Sequence, residues 1–143
     1  IDTHAHLDGC DEPAAFLVER AQAVGVSRVI TIGTGIASCR AALEIAAGEE
    51  TVFAALGIDP HQAATEEASR IPELRKLLGR PKVVAVGETG LDYFRDTTHR
   101  GEQLALDQLV PIAVHFLVPA SPKLTFTFRP STVNGRPPAC QIM

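Results

Sequence analysis

An α/β fold of parallel strands joined by crossover helices is the architecture this sequence predicts, and three observations predict it. Short β-branched apolar runs alternate with longer segments of helical period, strand then helix, through residues 1–86. The strand runs are continuously apolar rather than alternating, so burial on both faces is expected. Glycines close successive units at Gly25, Gly33, Gly48, Gly57 and Gly87. Regular alternation implies right-handed crossovers between parallel strands. A doubly wound sheet and a (β/α) barrel satisfy this pattern equally, and in both the chemistry gathers at the C-terminal ends of the strands.

The elements follow in order. Ile1–His6 reads as a strand, and Glu12–Val24 carries apolar residues at helical spacing up to Gly25. Ser27–Ile32 (SRVITI) is a second strand, followed by Gly33-Thr34-Gly35, which lacks the third glycine of a dinucleotide fingerprint and reads as a turn. Ala37–Ala47 is an alanine-rich helix and Thr51–Leu56 (TVFAAL) a third strand. Glu66–Leu78 is helical, with Pro72 either weakening its middle or marking its true start. Val83–Val86 (VVAV) is the fourth strand.

Composition bounds the function. A chain of 143 residues is long enough for one domain with a real core, and its formal net charge of −4 supplies no basic surface for neutralising phosphates. Stable architectural binding of nucleic acid is therefore excluded, while metal-assisted chemistry on a phosphodiester is not. Three widely spaced cysteines (Cys10, Cys39, Cys140) form no C-x-x-C pair, so no disulfide framework and a reducing cytoplasmic location are expected. Cys10 reads as a small buried thiol. No apolar run reaches the ~18 residues of a membrane span, and no basic-then-apolar leader opens the chain.

Several residues can carry chemistry. His4 and His6 are two apart near the end of the first strand, so their side chains share a face at the loop mouth, where neutral imidazoles can bind one divalent ion. Read alone, the pair fits a metal site or two unrelated histidines. Asp2 lies on the same face, either as a carboxylate that orients a histidine or as strand-start polarity. Glu88 follows the fourth strand directly and is flanked by Gly87 and Gly90. A carboxylate there is costly unless paired or metal-bound, and a loop acid near a helix start is the competing reading. His61, after the third strand, is a substrate contact or a plain loop histidine.

Together these segments resemble a known family. Ile1-Asp2-Thr3-His4-Ala5-His6-Leu7-Asp8, the Gly57-x-x-Pro60-His61 loop and Val86-Gly87-Glu88-Thr89-Gly90-Leu91-Asp92-Tyr93-Phe94 are similar to the N-terminal signatures of TatD deoxyribonucleases, in the right order and each at a strand end. The resemblance covers roughly residues 1–107. It implies a TIM-barrel fold of the metal-dependent hydrolase type, cleaving DNA phosphodiesters as a 3′ exonuclease with two divalent ions (magnesium, manganese or zinc). On this resemblance His4 and His6 are ligands of one ion and Glu88 bridges to a second. The pair of ions activates water for in-line attack, and His61 sits near the scissile phosphate. The family usually has histidine where this chain has Asp59. His115, in Val110-Pro111-Ile112-Ala113-Val114-His115, stands where the family places a second-ion ligand, with Phe116-Leu117 replacing the usual continuation.

Beyond residue 107 the character changes. The last 36 residues contain no acid, and Pro137-Pro138 lies in a stretch without helical period. The expectation is a (β/α) barrel unit over residues 1–115, about the first half of a barrel, with 116–143 an atypical proline-rich tail that is not native barrel sequence. A complete barrel takes roughly 250 residues, so this chain is expected to be truncated, and turnover by the chain alone is not expected. Two rival functions stand beside the nuclease: a small-molecule hydrolase of amidohydrolase type, and a non-catalytic metal-binding fragment. Oligomeric state is not legible from the sequence.

Overall fold

The computed structural model describes residues 1–92 and 100–109, and His115 and the segment 116–143 lie outside them. Strands β1 (Asp2–Ala5), β2 (Val29–Gly33), β3 (Val52–Leu56) and β4 (Val83–Val86) alternate with helices α1 (Ala14–Ala23), α2 (Ile36–Gly48), α3 (Ile71–Leu78) and α4 (Arg100–Leu109). The strands form one sheet in the order β1-β2-β3-β4, and every neighbouring pair is parallel. A doubly wound sheet reverses its strand order at a switch point. This sheet never reverses, so among the described residues it is singly wound, as a (β/α) barrel is.

The core lies between α2 and the two middle strands. Cys39, Ala42 and Ala46 lie on one face of α2 and are fully buried, as are Val52, Ala54 and Leu56 on β3. Small side chains on the helix let it approach the sheet closely. At Gly33 the approach is tightest, since a Cβ there would lie 2.7 Å from both Cα and Sγ of Cys39. Ile58 and Leu74 complete the same cluster from the loop after β3 and from α3. Thr31 is a buried polar residue of β2, and its Oγ1 accepts the Leu7 N–H at 3.3 Å, which fastens the turn after β1 to the sheet.

Three expectations need correction. Burial on both faces holds for β2 and β3, but β1 is largely exposed and β4 half-buried, because these are the two edges of the described sheet. Segment 66–78 is not one helix: a 3₁₀ stretch (Glu66–Arg70) precedes α3, and Pro72 falls in the first turn of α3, where its missing N–H costs nothing. Cys10 is exposed rather than buried, its thiol donating to the His6 carbonyl at 3.4 Å. No helix among the described residues is long and apolar enough to cross a membrane.

Burial pushes the Cys39 thiol up to about 11, although its Sγ also reaches the Gly57 carbonyl at 3.4 Å. The folded chain keeps this proton after the unfolded chain has released it. Stability is therefore expected to fall as pH rises from the ordinary thiol value of about 8.5 toward about 11, and a Cys39→Ala variant should lose that slope in urea titrations. At neutral pH, maleimide labelling with mass mapping should modify Cys10 and spare Cys39 until the chain unfolds. Gly33→Ala should cost roughly 1–3 kcal/mol through overpacking against Cys39, read as a lower urea midpoint with unchanged slope.

Candidate metal centre

Parallel strands in chain order place the segments after β1, β3 and β4 along one end of the sheet, and the candidate residues lie in those segments. In β1 the register shifts between the pairs Asp2↔Val29 and Ala5↔Thr31. Such a bulge re-aims side chains near the end of a strand. His4 and His6 converge there, with their Nε2 atoms 3.2 Å apart and their rings edge-to-face. Two ring nitrogens this close need a proton or a cation between their lone pairs. The Asp2 carboxylate accepts the backbone N–H of His4 at 3.0 Å, so the bond it makes is to the chain rather than to an imidazole.

Glu88 completes the group. Its Oε2 lies 3.9 Å from His6 Nε2, and donor atoms of His4, His6 and Glu88 all fall within 4.8 Å of one another. Donors fixed on one ion at about 2.0–2.1 Å stand about 2.9–3.4 Å apart at bond angles of about 90–110°, and roughly 4.2 Å apart across the ion. The His4–His6 separation of 3.2 Å lies in the first range and the His6–Glu88 separation of 3.9 Å lies below the second, while the full span of up to 4.8 Å is one that a shared ion would have to draw in. Both histidines are exposed and Glu88 is half-buried, so the group is open to solvent. Imidazole with carboxylate is a donor set suited to zinc or manganese, and the carboxylate also suits magnesium.

The position of Glu88 depends on a glycine. A Cβ on Gly57 would lie 2.6 Å from the Gly87 carbonyl carbon and 2.7 Å from the Glu88 nitrogen. The Gly87 N–H donates to the Leu56 carbonyl at 3.0 Å across the same junction. Only a residue without a side chain lets the β4 turn settle onto the end of β3 in this way.

His61 stands in the adjoining loop and joins a different set. Its Nε2 is 3.0 Å from Asp92 Oδ2, and its backbone N–H donates to Asp59 Oδ1 at 2.7 Å. Asp59 thereby caps the short 3₁₀ turn Pro60–Gln62. The structure thus gathers His4, His6 and Glu88, keeps His61 in a neighbouring pair with Asp92, and leaves His115 outside the described residues. Gly57, Asp92 and Gln103 were not singled out from sequence as supports of the site. The first two sit within the recognised motifs, whereas nothing around Gln103 in the sequence marks it.

Comparison with known proteins identifies the family. Residues 1–120 match the family described as TatD related DNase. A relative from Mycobacterium tuberculosis, named as an uncharacterized metal-dependent hydrolase TatD, is 40% identical over 99 residues, which is 66% of this chain and 37% of the relative. A 3′-5′ ssDNA/RNA exonuclease TatD from Cronobacter sakazakii is 32% identical over 108 residues, covering 69% of this chain and 41% of its own. The crystal structure of YjjV, a TatD homologue from Escherichia coli K-12, superposes with a TM-score of 0.68 at 31% identity, over 76% of this chain and 44% of YjjV. The chain spans less than half the length of these relatives. The singly wound sheet is therefore the first part of a TIM-barrel-type fold, and with a match over residues 1–120 the chain belongs to the TatD-related DNase family.

Proposed function

We propose that the chain carries the metal-binding N-terminal part of a hydrolase that cleaves phosphodiester bonds of single-stranded DNA, removing nucleotides from the 3′ end. The observation that carries this reading is the convergence of His4, His6 and Glu88 within 4.8 Å at the C-terminal end of a parallel sheet. The name of the Cronobacter sakazakii relative supports the substrate class and the direction of cleavage. When bound, divalent ions, two in this reading, supply Lewis acidity toward the phosphodiester and activation of water.

The chain's own residues do the rest. His4 and His6 would hold one ion, and Glu88 would supply the carboxylate that joins it to a second. His61, in the next loop, contacts a phosphate oxygen of the substrate. A formal net charge of −4 leaves the local cations as the main source of attraction for a polyanion, so binding is confined to the site. His115, as the ligand that the family resemblance assigns to the second ion, belongs to the same proposal.

Calorimetric titration of the full chain with manganese or zinc should show saturable binding that His4→Ala, His6→Ala and Glu88→Gln each abolish. Binding that survives all three substitutions would sink the reading. Gly57→Ala removes no ligand side chain but displaces the Glu88 peptide, and it should weaken the metal on the order of 10–100-fold, as lost support of a ligand does. Release of nucleotides from 5′-labelled single-stranded DNA, with magnesium or manganese added, tests the activity. Hydrolysis of small esters without DNA cleavage would instead favour a small-molecule hydrolase.

A further inference from the structure

The loops after β3 and β4 are joined at two places. At the base, Gly57 lies against the Gly87–Glu88 peptide. At the tip, His61 Nε2 meets Asp92 Oδ2 at 3.0 Å. Asp92 is itself held, since its N–H donates to Gln103 Oε1 at 3.0 Å, and Gln103 is fully buried on α4. A buried side-chain amide is costly unless it is hydrogen-bonded, and this one bonds to the backbone of the residue that faces His61. His61 is thus held at two points: its backbone N–H donates to Asp59 Oδ1 at 2.7 Å, and its ring meets Asp92.

A neutral imidazole has one N–H, and a carboxylate partner draws that proton to the nitrogen it faces. We propose that Asp92 is a positioning residue for His61: its carboxylate accepts the Nε2 proton, sets the tautomer and ring orientation, and is kept in place by the buried Gln103 amide. Nδ1 then becomes the acceptor nitrogen of the ring. Asp59 lies 3.9 Å from the same Nε2, farther than Asp92, so Asp92 is the carboxylate that selects the proton's location. What His61 does for the substrate rests on the function proposed above; the tautomer does not.

Long-range proton–nitrogen NMR of the histidine rings in the full chain at alkaline pH tests the assignment, with the His61 signals identified by their loss in His61→Gln. The expected pattern is Nε2–H in the wild type, a changed ring pattern in Asp92→Asn, and partial recovery in Asp92→Glu. An Nδ1–H pattern in the wild type overturns the proposal without any variant, and so does an unchanged pattern in Asp92→Asn. Manganese titration separates the two readings. Wild-type affinity in Asp92→Asn is expected, since no ligand is removed, and loss of that affinity would make Asp92 a support of the Glu88 loop instead. A wild-type chain that binds no metal but shows Nε2–H at His61 would sink the metal centre and leave the positioning role standing.

Discussion

Parallel strands cannot be joined by a tight turn, and this constraint organises the molecule. Each crossover must travel the length of the sheet and return, so every strand begins at one end and finishes at the other. Strand order β1-β2-β3-β4 carries the rule across the whole described sheet. The segments after β1, β3 and β4 accordingly share one end, although 82 positions separate His6 from Glu88 in the chain. Convergence of residues so distant in sequence is a consequence of winding direction, and the local chemistry of the motifs only refines it.

The refinement is steric. Cys39 on α2 lies against Gly33 at the end of β2 and bonds to the carbonyl of Gly57 at the end of β3. Gly57 in turn lies under the Gly87–Glu88 peptide after β4. This stack runs from the buried helix to the carboxylate of the candidate metal centre through residues that are small where they touch. A methyl group at either glycine would push apart layers that the core otherwise holds at close-packed distance. The Glu88 carboxylate is therefore located by backbone packing rather than by hydrogen bonds to its own oxygens among the described contacts.

Polar groups serve two ends in the same region. Some hold loops: Thr31 takes the Leu7 N–H, Asp59 caps its own 3₁₀ turn, and Ser38 joins the Asp8 carboxylate to the Thr34 N–H at 2.5 Å and 3.2 Å. Others face the open mouth, where His4, His6 and Glu88 lie in or near solvent. Asp92 belongs to both groups, since its backbone is anchored to a buried amide while its carboxylate grips an imidazole. An acidic chain can concentrate positive charge at such a mouth only by binding cations there.

The alternation of apolar strand runs with helical segments determined the α/β class and all four strands, because periodicity is a local property of the chain. The motifs likewise determined which residue types stand at the strand ends, and so named His4, His6 and Glu88. Periodicity alone left the winding open, since crossovers of a doubly wound sheet and of a barrel have the same period and differ only in which neighbour each strand selects; the barrel was legible only through the family resemblance of the motifs. The exposure of β1 and of Cys10 also lay beyond the sequence, because it depends on which strands end up at the edges. Tertiary structure alone decided that Gly57 positions Glu88, and that Asp92 grips His61 with Gln103 behind it. Those contacts join residues from different elements, and their distances are fixed only once the sheet and helices have packed.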